Sequence, residues 1–331
     1  MASSFDNVND LVVDLYPLFR IYKDGRVDRC DDTSASIGLS SYVPPSLEDP
    51  QTGVSSKDVT ISPHVSARLY LPKNTTSTNN QKLPIFVYYH GGGLIVGSAF
   101  SHVHHCYLNI LVSESNAIAI SIEYRLAPEH DVPTIYQDCW AALKWVASHA
   151  SDKSALVNKD PWLTNHGDFD KLFIAGDSAG GTIVYNMAMR AGREGGIIEN
   201  VPIYGSILAF PWFLIPIENI EQVVSYNIWM AIAPTSESGI NSSMINPLAE
   251  KAPCLSGLAC SRLFLCIGEK DEYIPREIGI KFVDGTKKSG WKGELEFIEF
   301  KGEGHCFQMK NPEEEKAQNL IKRIASFIQH K

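Results

Sequence analysis

Short apolar runs alternate with helical patterns along most of this chain. The runs at 65–71, 84–89, 117–124, 172–175, 203–210, 262–267 and 295–300 are rich in Val, Ile, Leu and aromatic residues, and read as strands. Between them, Tyr136, Cys139, Trp140, Leu143 and Val146 recur with the i, i+3, i+4, i+7 spacing of one buried helix face. Ile183, Met187 and Arg190 continue a helix that opens just after Ser178. Ala317, Leu320, Ile321, Ile324 and Phe327 form a closing amphipathic helix. This alternation predicts an α/β fold with a mainly parallel central sheet and helices on both faces.

Two segments break the rhythm. Residues 1–50 carry a short helix pattern (Leu11, Leu15, Leu18, Phe19) and then Pro44 and Pro45. Residues 211–253 are rich in Trp, Ile, Pro and Asn. Both are expected to cover the carboxyl ends of the strands, as a helical lid on a single domain spanning 1–331. The polar stretch 74–80 reads as a hairpin tip. The most apolar stretch, 203–217, is interrupted by Pro211 and Pro216 and is shorter than a membrane span. It reads as a core strand that leads into an aromatic pocket wall.

Composition narrows the partners. Of the 331 residues, 29 are Lys or Arg and 38 are Asp or Glu, a formal net charge of −9. Nucleic acid and anionic membrane surfaces repel such a chain. A chain of this size buries enough apolar surface to fold without disulfides. Its seven cysteines form no CxxC pair and mostly lie in apolar runs, so buried free thiols are expected. No basic stretch followed by an apolar leader opens the chain. The cytosol is therefore the expected location, and the sequons at Asn74 and Asn241 read as chance.

The chemistry sits at strand ends. The run 172–175 stops at Gly176-Asp177-Ser178-Ala179-Gly180, with Gly181 and a helix following. This is G-x-S-x-G in a strand–turn–helix context, which lifts a nucleophilic serine above a sheet on a turn too tight for a Cβ at its flanks. A serine in a merely connecting turn is the plainer alternative. His90-Gly91-Gly92-Gly93 follows the 84–89 strand and resembles the glycine loop whose bare amides hold an oxyanion. Gly92, Gly93 and Ala179 are the expected donors, with Gly91 shaping the loop and His90 bracing it. The Lys-Ser/Thr ending of a phosphate-binding loop is absent. A serine needs an imidazole to take its proton, and the imidazole needs a carboxylate to fix its tautomer. His305 follows a late strand behind Gly302 and Gly304, and Asp271 follows the strand before it. Glu269, Glu272 and Asp284 are rival acids. His102, His104 and His105 suggest a metal cluster, but His104 and His105 are adjacent and face apart on a helix. No metal or other cofactor is called for. Trp212, Phe213, Trp229 and Met230 are candidates for the wall of a bulky apolar site, with ordinary contacts inside the lid as the plainer alternative.

Taken together, His90–Gly93, the Tyr124-Arg125-Leu126-Ala127-Pro128-Glu129-His130 stretch, Gly176–Gly181 and Gly304-His305 resemble the plant carboxylesterases of the hormone-sensitive-lipase-like group. The resemblance extends from Ile21-Tyr22-Lys23-Asp24-Gly25-Arg26-Val27 to Ala325-Ser326-Phe327-Ile328 and implies an α/β-hydrolase acting on a small-molecule ester. The group also holds 2-hydroxyisoflavanone dehydratases, gibberellin receptors and monoterpenoid indole alkaloid cyclases. Met244-Ile245-Asn246-Pro247 and Lys288-Ser289-Gly290-Trp291 are similar to the dehydratase and alkaloid branches. The receptors lack the catalytic histidine, and the cyclases disturb the glycine loop and lose the histidine. The resemblance, with Gly91–Gly93 and His305 intact here, implies ester cleavage of the norfluorocurarine synthase type, in which an alkaloid methyl ester is cut and the acid loses CO2. Leu94 departs from the Phe usual after the glycines, which implies a wider acyl side.

Overall fold

The computed structural model describes residues 10–16, 19–29, 38–39, 41–73, 82–151, 159–233 and 239–329. Leu18, Cys30, the 74–76 sequon with the rest of the 74–80 tip, and Pro234 lie outside them. Eleven strands are seen among these residues. β1 (Leu11–Leu15), β2 (Phe19–Tyr22) and β3 (Val27–Arg29) form a small antiparallel sheet of their own. The main sheet comprises β4 (Ser55–Ser62), β5 (Val65–Leu71), β6 (Leu83–Tyr89), β7 (Ile118–Glu123), β8 (Gly167–Asp177), β9 (Ile203–Ala209), β10 (Cys260–Gly268) and β11 (Glu294–Phe300). Their spatial order is β11-β10-β9-β8-β6-β7-β5-β4. From β7 to β11 the strands run parallel, and β5 and β4 close one edge antiparallel.

The period-two pattern sorts side chains to the two faces. In β6, Ile85, Val87 and Tyr89 join one core while Phe86 and Tyr88 join the other. The first core is covered by α2 (Val132–Ala147), α4 (Ala179–Glu194) and α6 (Arg276–Lys288). The second is covered by α1 (His102–Ser115) and α8 (Glu315–Gln329). Shorter helices are α3 (Pro161–His166), α5 (Val224–Ile232) and α7 (Phe307–Lys310). α2 starts where it does because Asp131 accepts from Thr134 N at 2.9 Å and Pro133 occupies the first turn. The mainly parallel sheet with helices on both faces is as expected.

Two expectations change. The helix pattern over Leu11–Phe19 is instead the β1–β2 hairpin. Val12 is exposed, Val13 buried and Asp14 exposed, the alternation of a strand, and β-branched residues at 12 and 13 favour it. β4 was missed because its sequence, Ser-Ser-Lys-Asp-Val-Thr-Ile-Ser, is mostly polar, as an edge strand permits. Among the described cysteines, Cys139, Cys260, Cys266 and Cys306 are buried free thiols as expected, whereas Cys254 is exposed. No helix among the described residues is long and apolar enough to cross a membrane.

Candidate active site

Ser178 stands between the end of β8 and the start of α4, with φ 52° and ψ −119°. A non-glycine residue keeps such a conformation only when its surroundings over-determine it. Its N–H donates to Ala209 O at 2.8 Å, and its carbonyl accepts from Trp212 N at 3.0 Å. The flanking glycines follow from close packing. A Cβ on Gly180 would strike the Tyr89 carbonyl, and one on Gly176 would strike the backbone of Gly180.

The loops after β10 and β11 meet beside this turn. His305 Nδ1 lies 2.7 Å from Asp271 Oδ2. Asp271 Oδ1 accepts from Tyr273 N at 2.9 Å and from Ile274 N at 2.8 Å. An ionised carboxylate only accepts, so Nδ1 carries the ring proton and Nε2 is left as the acceptor. Tyr273 and Phe210 pack edge-on against the imidazole, with centroids at 5.3 and 5.9 Å. Ser178 Oγ makes no hydrogen bond within 3.5 Å among the described residues, and such contacts commonly tighten only when substrate is bound. The rival acids have other duties. Glu269 accepts from Gly302 N at 2.8 Å. Glu272 accepts from His305 N at 3.0 Å and pairs with Lys310 at 3.0 Å. Burial pushes the Glu272 carboxyl up, but the hydrogen bonds from His305 N–H and Lys310 hold it below its usual range. Asp284 is exposed on α6.

The glycine loop is bent at two left-handed residues that border the cavity. Gly92 and Gly93 have φ of 108° and 62° and line the same cavity as Ser178 and His305. Gly92 O accepts from Ile95 N and Val96 N, and a Cβ on Gly92 would strike the Val96 carbonyl. Among the described residues the N–H groups of Gly92, Gly93 and Ala179 have no acceptor. Gly91 differs from the other members of the expected hole. Its N–H donates to Asp177 Oδ1 at 3.0 Å, so it shapes the loop and offers nothing to an oxyanion. Asp177 also accepts from Tyr88 Oη at 2.5 Å, with His104 Nε2 at 3.7 Å. His90 is fully buried, stacks on Tyr124 at 4.2 Å, and lies 2.8 Å from Gly91 O through Nδ1. Burial, and then the neighbouring His104, lower its pKa to about 3, so it is a neutral brace. His105 turns away to Tyr70 and Asn109.

The cavity above Ser178 holds about 150 Å³. Of the expected wall residues, only Trp212 lines it. Leu94 is buried at φ 62°, its carbonyl tied to Ala127 N at 2.7 Å, so it pins the loop and does not widen an acyl site. Phe213 is buried against Phe282 and Tyr185, with centroids at 4.8 and 5.4 Å. Trp229 packs behind Trp212 and donates to Gly239 O at 3.2 Å. Met230 points to solvent. A run of aromatics after β9 cannot reveal which ones turn inward. The walls missed from sequence include Phe19, Leu39, Ile228, Tyr273 and Met309. Met309 comes to the wall on α7, which opens two residues past His305.

A family model described as the alpha/beta hydrolase fold matches residues 86–309. The chain is 45% identical to a 2-hydroxyisoflavanone dehydratase of Glycyrrhiza echinata, across 99% of this chain and 100% of that one. It is also 45% identical to catharanthine synthase of Catharanthus roseus, across the full length of both. Among solved structures, a hyperthermophilic esterase from the archaeon Pyrobaculum calidifontis superposes with a TM-score of 0.64 at 27% identity, over 83% of this chain and 85% of that one. With probable carboxylesterases of Arabidopsis thaliana also among its relatives, the chain belongs to the α/β-hydrolase family, in its plant carboxylesterase-like group.

Proposed function

We propose that this protein is a serine carboxylesterase acting on a small-molecule ester of plant specialised metabolism. The observation that carries the reading is the His305–Asp271 pair at 2.7 Å, whose imidazole borders one cavity with Ser178, Gly92 and Gly93. His305 Nε2 takes the proton of Ser178 Oγ as the oxygen attacks the ester carbonyl. The amides of Gly92, Gly93 and Ala179 hold the negative oxygen of the tetrahedral intermediate. The bond to the leaving alkoxide then breaks, and His305 returns its proton to that alkoxide. Water enters by the same route and releases the acid and Ser178.

The finer reading is a monoterpenoid indole alkaloid methyl ester, as in norfluorocurarine synthase. When the freed carboxyl is β to a carbonyl or imine, its C–C bond breaks, CO2 leaves, and the carbon takes up a proton. The 45% identity to a catharanthine synthase supports an alkaloid substrate, and the intact loop and histidine support hydrolysis. A cavity of about 150 Å³ is below the roughly 300–1,000 Å³ usual for small-molecule sites. A bulky alkaloid ring system needs more room than that. Phe19 and Ile228 would therefore move outward on entry, which gives the β1–β3 hairpin and α5 the part of a lid. The cytosol fits a chain of net charge −9 with no membrane-crossing helix among its described residues.

Hydrolysis of p-nitrophenyl butyrate tests the reading. Wild type should turn over, and Ser178→Ala should not. The 45% identity to a dehydratase favours, as the second reading, elimination or cyclisation in the same cavity. Turnover of an alkaloid or hydroxyisoflavanone substrate that survives Ser178→Ala would establish it. Binding without any turnover would instead indicate a hormone-receptor-like module.

A further inference from the structure

We propose that Arg29 is a positioning residue for the oxyanion loop, coupling closure of the N-terminal hairpin over the cavity to alignment of the Gly92 and Gly93 amides. The proposal rests on the esterase reading above. In the β2–β3 register Arg29 lies opposite Phe19, and Phe19 lines the cavity. The guanidinium leaves the hairpin in three directions. Its Nε donates to Ile95 O at 2.7 Å. Its Nη2 donates to Ala127 O at 2.9 Å. Nη1 and Nη2 each reach a carboxylate oxygen of Glu129 at 2.8 Å.

Those targets are the far end of the glycine loop and the segment that supports it. Gly92 O receives the N–H groups of Ile95 and Val96, which closes the turn carrying Gly92 and Gly93. Ala127 N holds Leu94 O at 2.7 Å, and Leu94 itself is kept at φ 62°. The carbonyls of Leu94 and Ile95 are thus tied in succession, one by Ala127 and one by Arg29. A non-glycine residue at that φ relaxes when its restraints are removed. Asp177 fixes the loop's near end through Gly91 N–H, so Arg29 supplies the restraint at the far end. Only an arginine fork makes these contacts at once; an ammonium offers a single point charge. A hairpin swung away to admit substrate withdraws Arg29 from Ile95 and loosens the loop. Docking restores both the cavity wall and the oxyanion hole.

The test compares wild type with Arg29→Ala and Arg29→Lys. It uses kcat and KM for p-nitrophenyl butyrate, the Ki of an aliphatic trifluoromethyl ketone whose adduct oxyanion occupies the same amides, and the melting temperature. Displaced oxyanion donors cost on the order of 10²-fold in kcat. Arg29→Ala should lose about that much kcat and raise Ki by a similar factor, with a smaller rise in KM from the loosened Phe19 wall. Arg29→Lys keeps the charge and the aliphatic stem, so it folds, and should recover only a minor part. Millimolar guanidinium should partly restore Arg29→Ala and leave wild type unchanged. A lowered melting temperature with kcat and Ki unchanged in the folded variants overturns the proposal, as does an Arg29→Lys variant equal to wild type. These outcomes stand apart from the esterase reading, which wild type and Ser178→Ala test separately. Absence of wild-type hydrolysis overturns both.

Discussion

Asp271→Asn probes the base–acid pair without removing any volume. Two backbone N–H groups, those of Tyr273 and Ile274, point at Oδ1 from 2.9 and 2.8 Å. An asparagine must turn its oxygen toward them, because its NH2 group would leave both unsatisfied in a site where the Asp271 side chain is only 2% exposed. The NH2 then faces His305 Nδ1, now 2.7 Å from Oδ2. Two donors cannot share that contact, so the imidazole shifts its proton to Nε2, the atom that must accept the serine's proton. Loss of the correct tautomer costs about 10⁴ in kcat, or about 5.4 kcal/mol at 1.36 kcal/mol per tenfold. The fold should persist, since both backbone contacts remain. The assay is kcat for p-nitrophenyl butyrate alongside the melting temperature. Glu272→Gln is the control. It still accepts from His305 N–H and should lose less than about tenfold. An Asp271→Asn variant within tenfold of wild type, or a greater loss in Glu272→Gln, refutes the assignment of the acid.

Two further outcomes follow from the same contacts. His90 has its pKa lowered from 6.5 to about 3 in the fold, chiefly by burial. The unfolded chain therefore binds a proton that the native state refuses, and stability falls as pH drops from 6.5 toward 3. At pH 5 this amounts to about 2 kcal/mol. Urea melts at pH 7 and 5 should show a smaller difference in His90→Asn, and equal differences would contradict the buried neutral imidazole. Phe213→Ala should destabilise by about 3–5 kcal/mol with KM unchanged, because its ring is core. Trp212→Ala should shift KM as well, and the reverse pattern in kinetics and thermal melts would exchange their roles.

Much of the sheet was legible because its inner parallel strands carry continuous buried apolar runs, as at 85–89, 118–122 and 172–175, and strand ends carried Ser178, Asp271 and His305. The glycines around Ser178 were readable for the same reason: each marks a contact no Cβ can occupy. The hairpin was misread because Leu11, Leu15 and Leu18 mimic a helical stripe, while the alternation of Val12 and Val13 decides the fold. The cavity wall was largely illegible. Phe19 reaches it through strand register and Ile228 through the placement of α5, and neither is written in local spacing. Leu94 was misjudged because its place in the core is set by packing that its neighbours in sequence do not show. Gly91 was expected to shape its loop, but the partner that holds it, Asp177, lies 86 residues away and left no local mark.

The central claim is that Ser178 is an activated nucleophile. Mass spectrometry of the protein after reaction with a fluorophosphonate probe tests it most directly. The account predicts a single adduct, on the peptide that carries Ser178, lost in Ser178→Ala together with ester hydrolysis. An adduct on any other residue, or hydrolysis that survives Ser178→Ala, would contradict it.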